Sequence, residues 1–153
     1  MKQYFELIKQ SRQNLLNLIS GFSIEELNKI PSNYNNNLIW NLGHVIVTQQ
    51  ILCYKLADVN PRLNIAQYTK YAKGSKPEGD ISLDEYELLK SLALTTVSDM
   101  EEDYNTGLFI SYNSYSTSFG VDLNSIEDAI HFIGIHEGMH YGYSMALKRN
   151  INL

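Results

Sequence analysis

Cysteine is nearly absent from these 153 residues: Cys53 stands alone, so no intrachain disulfide and no cysteine-based metal cluster can be built. Long apolar runs are missing as well. Stretches such as Val45-Ile46-Val47 and Ile51–Tyr54 stop far short of the ~18 residues a membrane helix needs, so no membrane partner is expected. There is no basic excess either, because 12 Lys and Arg face 17 Asp and Glu for a net charge of −5. Nucleic-acid binding, which depends on a basic stripe that displaces counterions, is therefore not expected. Neither Gly-x-Gly-x-x-Gly, nor a Walker loop, nor Gly-x-Ser-x-Gly occurs, which leaves nucleotide-driven and serine-hydrolase chemistry without support. No apolar segment follows Met1-Lys2-Gln3-Tyr4-Phe5-Glu6, so no secretory signal is visible and a cytoplasmic location is expected.

What remains suits a folded chain. Apolar residues make up 44% and charged ones 19%, enough to fill the core of one domain spanning 1–153. Four long helices are predicted. The first covers about Lys2 to Ser20, where Phe5, Ile8, Leu15, Leu18 and Ile19 recur near the 3.6-residue period and Gly21 gives a stop. Ser23-Ile24-Glu25-Glu26 reads as a capping box on a short helix ended by Pro31. The second long helix runs from Asn36 or Asn37 to about Ala57, before Asn60-Pro61. A polar loop follows, in which Arg62, Lys70, Lys73 and Lys76 form a locally positive run that is either solvated or meets an anionic substrate. Ser82 and Glu85 cap a third long helix reaching about Glu102, and residues 103–124 carry no helical period. Ser125 opens the last helix, which ends near Lys148 and Arg149, basic residues suited to its C-terminal dipole. The expected fold is an all-α four-helix bundle.

His136 and His140 stand four apart on the last helix and so share one face, from which two imidazoles can grip one metal ion. Residues 136–140 read His-Glu-Gly-Met-His, the zinc-protease motif in letters, with Glu137 as its general base. Tyr141-Gly142-Tyr143 breaks the metzincin continuation and no Asp or Glu follows His140, so a zinc protease is not expected. If a third histidine completes a site, His131 lies about 140° from His136 around the helix and points elsewhere, which leaves His44 on the second long helix. His44 shares its face with Asn37, Asn41, Thr48 and Lys55, so simple solvent exposure is the alternative to ligation. For His136 and His140, on a largely apolar face, the alternative is a pair of core histidines satisfied by tyrosines or carbonyls.

The segment Asn37-Leu38-Ile39-Trp40-Asn41-Leu42-Gly43-His44, followed much later by His136-x3-His140 with Tyr141-Gly142, resembles the DinB/YfiT-like family over nearly the whole chain. That resemblance implies a small bacterial four-helix bundle binding one divalent metal ion through His44, His136 and His140. Three imidazoles leave a fourth position for water or substrate and suit Zn, Ni or Fe alike. It also implies a metal-dependent transferase that activates a low-molecular-weight thiol, such as bacillithiol or mycothiol, toward a small-molecule substrate. Two alternatives stand beside it: a non-catalytic, metal-stabilised binding or stress-associated module, and a metal-assisted hydrolase with Glu137 as base. Glu137 lies about 80° from the centre of the histidine pair, and a surface or interhelix charge is its plainer reading.

Gly134, Gly138 and Gly142 form a stripe roughly opposite the histidine face. Each glycine inside a helix costs about 0.8–1.0 kcal/mol relative to Ala, so three suggest a closely packed neighbour. That neighbour is either the first or third long helix of the same bundle or a second copy in a two-fold homodimer.

Overall fold

The computed structural model describes residues 1–151; the last two positions of the expected 1–153 domain lie outside them. The chain is all-α apart from one small hairpin. Its helices are α1 (Lys2–Ile19), α2 (Ile24–Asn28), α3 (Leu38–Gln49), α4 (Leu83–Asn105) and α5 (Ile126–Asn150). No helix among the described residues is long and apolar enough to cross a membrane.

The helix starts follow the local chemistry. At α2 the Ser23 hydroxyl accepts from the Glu26 N–H while the Glu26 carboxylate accepts from the Ser23 N–H, a complete capping box. The Asn37 side chain caps α3 by accepting from the Trp40 N–H at 2.8 Å. Ser82 caps α4 through the Glu85 N–H, and Ser125 caps α5 through the Asp128 N–H. Glu85 does not return the bond: its carboxylate accepts from the Tyr71 hydroxyl and from Lys70, each at 2.7 Å.

Two segments depart from the sequence reading. The second long helix is continuous to Ala57, but its α-helical geometry ends at Gln49 and the chain widens into a π-helix over Gln50–Tyr54, then tightens into a 3₁₀ turn over Lys55–Ala57. The polar loop after Arg62 contains a 3₁₀ helix, Ile65–Tyr71, that packs against α3. Residues 103–124 are irregular as expected beyond the end of α4, except that Tyr115–Ser116 pairs antiparallel with Asp122–Leu123.

In the bundle, α1 and α3 each pack against both α4 and α5, which places them on opposite corners. Two apolar clusters fill it. One is built around Leu15, Leu42, Ile46, Leu89 and Leu147, the other around Phe5, Ile8, Val97, Ile130 and Ile133. Arg12 lies between the residues of α1 that feed them. It is fully buried and donates to Glu137 of α5 at 2.6 Å, to the Val45 carbonyl of α3 at 2.9 Å and to the Ala93 carbonyl of α4 at 3.1 Å. The glycine stripe of α5 is not packed against α1 or α4: a Cβ added at Gly134, Gly138 or Gly142 would meet nothing within 4 Å.

Candidate metal centre

Three of the four histidines converge. His44 of α3 meets His136 and His140 of α5 with ring centroids 5.2 and 4.7 Å away, and the two α5 rings are 4.5 Å apart. One nitrogen from each lies within 4.8 Å of the others, a separation that could hold a metal ion. His44 and His136 are 6% and 8% exposed and His140 is half-buried, so the solvent-exposed alternative for His44 does not hold. His131 is outside the cluster, packed against the Tyr4 ring at 4.2 Å.

The polar face around His44 is a set of partners rather than a solvated surface. Asn37 and Asn41 are 3% and 0% exposed. Asn41 donates through its amide nitrogen to the Asn37 carbonyl at 2.8 Å, which turns its Oδ1 toward His140 Nδ1, 2.8 Å away. The His44 Nδ1 faces the Tyr71 carbonyl at 2.7 Å. Both oxygens only accept, so both imidazoles carry the proton on Nδ1 and keep the lone pair on Nε2. Outer partners that fix tautomer and ring orientation in this way are the usual companions of metal-ligating histidines. The Nδ1 of His136 is buried with no hydrogen-bond partner. A buried ring nitrogen without a partner, on a ring packed beside two imidazoles whose lone pairs sit on Nε2, fits a donor set made for a cation.

Electrostatics point the same way. Burial pushes the His136 pKa down to about 2, helped by the neighbouring His140 and His44 rings and by Arg12. Burial and His44 push His140 down to about 4, and burial also lowers His44 against the opposing pull of the Tyr71 carbonyl. All three are therefore neutral near pH 7, the form that ligates.

The residues around the ligating segment explain its spelling. Trp40 stacks flat on His44, with centroids 4.5 Å apart and planes 11° from parallel, and its indole N–H donates to the Lys70 carbonyl. Gly43 lies under the Tyr71 ring, where a Cβ would come within 2.5 Å of the ring carbons. Only a glycine there lets the ring settle on α3 and bring its carbonyl to His44. The roles of Arg12, Asn41 and Tyr71 were not foreseen from sequence, since each acts on a residue 27 to 125 positions away.

The histidines sit in the wall of a cavity of about 330 Å³. Ile51 and Leu52 from the π-helix, Phe132 and Met139 from α5 and Phe119 from the hairpin make it largely apolar, with Thr48, Tyr115, Thr117, Ser118 and Lys73 adding polar groups. Part of the irregular 103–124 segment thus lines the site.

Two chemically active side chains lie elsewhere. Glu137 is 2% exposed, bonded to Arg12 and absent from the cavity wall. Burial raises its carboxyl pKa while the Arg12 cation pulls against that rise. Cys53 is fully buried, and burial raises its thiol pKa far above neutrality.

Comparison with known proteins agrees with this architecture. A crystal structure of a conserved protein from Enterococcus faecalis superposes with a TM-score of 0.69 at 12% identity, covering 98% of this chain and 95% of that one. At that identity the likeness speaks for the fold alone. No curated protein matches. The family model of the DinB superfamily matches residues 7–144, including all three clustered histidines, and the chain belongs to the DinB superfamily.

Proposed function

We propose that the protein is a metal-dependent transferase, in which one divalent ion held by His44, His136 and His140 activates a low-molecular-weight thiol toward an electrophilic small molecule. The carrying observation is the cavity: the three clustered imidazoles open onto about 330 Å³ of largely apolar space, and no Asp, Glu or Cys joins their cluster among the described residues. A cation bound by three neutral imidazoles supplies Lewis acidity at an exchangeable position, enough to lower the pKa of a thiol there.

The chain's own part is to fix and shield. Asn41 and the Tyr71 carbonyl hold two imidazoles in the ligating tautomer, and Trp40 clamps the His44 ring. Phe119, Phe132 and Met139 offer apolar surface to an electrophile. Cys53 is too deeply buried and too weakly acidic to be a nucleophile, so the thiol must come from outside. Glu137 is a poor base for the hydrolase alternative, because its carboxylate is spent on Arg12 behind the cavity wall.

Elemental analysis of protein purified without a histidine tag is expected to give one divalent metal per chain, lost in His44→Ala, His136→Ala and His140→Ala and kept in His131→Ala. Metal-loaded protein is then expected to couple added thiols to monochlorobimane, with Cys53→Ser fully active. Turnover without thiol would indicate hydrolysis. Metal that stabilises the fold while no thiol is turned over would favour a non-catalytic module.

A further inference from the structure

Charge around the cavity runs against the charge of the chain. The protein carries 17 acidic side chains and a net charge of −5, yet no Asp or Glu lines the cavity that holds the three histidines. The single charged side chain in its wall is Lys73. Among the described residues Lys73 makes no ion pair or side-chain hydrogen bond. Its neighbour Lys70, in contrast, is held by Glu85 at 2.7 Å and lies outside the wall. The remainder is mostly apolar, from Ile51, Leu52, Phe119, Phe132 and Met139. Such a pocket matches a molecule with an apolar body and one anionic end, since the apolar wall takes the body and the lone ammonium at its edge takes the anion.

We propose that Lys73 is the specificity residue of this cavity and that the ligand it selects is an apolar organic molecule bearing a carboxylate-like anionic group. The inference rests on the proposed metal-dependent reading, and it assigns the anion to the lysine rather than to the metal. A bound divalent cation would also favour an anion over an alcohol, so the share assigned to Lys73 is the part of the margin that is lost in Lys73→Met. Because Lys73 is exposed, its contribution is modest and sensitive to salt.

The test is calorimetric binding to the zinc-loaded protein. Two ligand pairs are used: 6-mercaptohexanoate against 6-mercaptohexanol, and 4-phenylbutyrate against 4-phenylbutanol. Wild type is expected to favour each carboxylate by about two- to five-fold over its alcohol, and 0.5 M salt is expected to shrink that margin. In Lys73→Met the margin falls to whatever the metal alone confers, and Lys73→Glu reduces it further. Lys76→Met, a change in the same loop but outside the wall, leaves it intact. A wild type that does not distinguish the pairs, or a Lys73→Met variant that keeps the whole margin, overturns the proposal. The two readings fail separately. If the thiols bind no better than the phenyl ligands while the margin still depends on Lys73, the thiol reading falls and this one stands. If the thiols bind tightly without regard to the far carboxylate, this one falls alone.

Discussion

Gly43 shows how a single residue in a helix can be chosen against its own propensity. Alanine is favoured over glycine in a helix interior by about 0.8–1.0 kcal/mol, so Gly43→Ala in mid-helix would ordinarily stabilise the protein. Here the added methyl would meet the Tyr71 ring at 2.5 Å. That ring cannot easily retreat, because it is 2% exposed and its hydroxyl is bonded to Glu85. Overpacking of this kind costs about 1–3 kcal/mol, which outweighs the propensity gain. The expected outcome is a net loss of stability by thermal unfolding of the metal-free protein. Metal affinity, read by chelator competition, is expected to fall about tenfold, because the Tyr71 carbonyl leaves His44 Nδ1. An alanine variant with raised stability and unchanged affinity would show that Tyr71 has no fixed seat on α3.

At the scale of elements, what was legible in the sequence was local. The caps at Ser23, Ser82 and Ser125 were readable because partner and cap lie three residues apart. The pairing of His136 with His140 follows from helix geometry, and the same geometry turns His131 away from them. The environment of His44 was misleading for a physical reason: Asn37 and Asn41 look like a wet face in sequence, yet they are polar because they cap α3 and hold His140. The π-helix was invisible, since Gln50–Tyr54 keep the apolar content of a regular turn and only the backbone pattern widens. Beyond that turn, α4 is tied back to the chain by Asp103, which accepts from the Tyr54 hydroxyl at 2.6 Å and from Arg62 Nε at 2.8 Å. Burial works to raise the Asp103 pKa, but bonds from Arg62 and Tyr54 outweigh it and hold the carboxyl below its ordinary value. A carboxyl whose folded pKa is depressed contributes stability above its unfolded pKa and loses it as pH falls through the folded one. Asp103→Asn is therefore expected to cost about 1–2 kcal/mol at pH 7, a charge-assisted hydrogen-bond cost. Urea midpoints measured with chelator present are expected to give a constant gap between wild type and variant above about pH 5, closing below about pH 4. A gap that stays level to pH 3 would mean the ion pair is not the source of the difference.

For the whole molecule, the distinctive surface is the outer face of α5. Its three glycines face open space, and Ile135 beside them is 52% exposed. Between Ala129 and Leu147 the helix has one charged residue, Glu137, and that one is buried. A stripe without charge along a surface helix has more in common with an interface than with a solvated face. We propose that a second copy covers it, antiparallel across a two-fold axis at Gly138. Glu127 lies eleven residues before Gly138 and Arg149 eleven after it, so the axis brings each acid opposite the base of the other copy. The same symmetry sets Gly134 against Gly142, where small residues let the two backbones approach closely. Light scattering is expected to give twice the chain mass for wild type and the single mass for Gly138→Leu. Glu127→Arg and Arg149→Glu are each expected to weaken the dimer about two- to thirty-fold, since the axis makes the pair twice, and combining them to restore it, as exposed ion pairs of about 0.2–1 kcal/mol each would. A monomeric wild type removes the proposal, and a dimer that tolerates Gly138→Leu places its interface on another face.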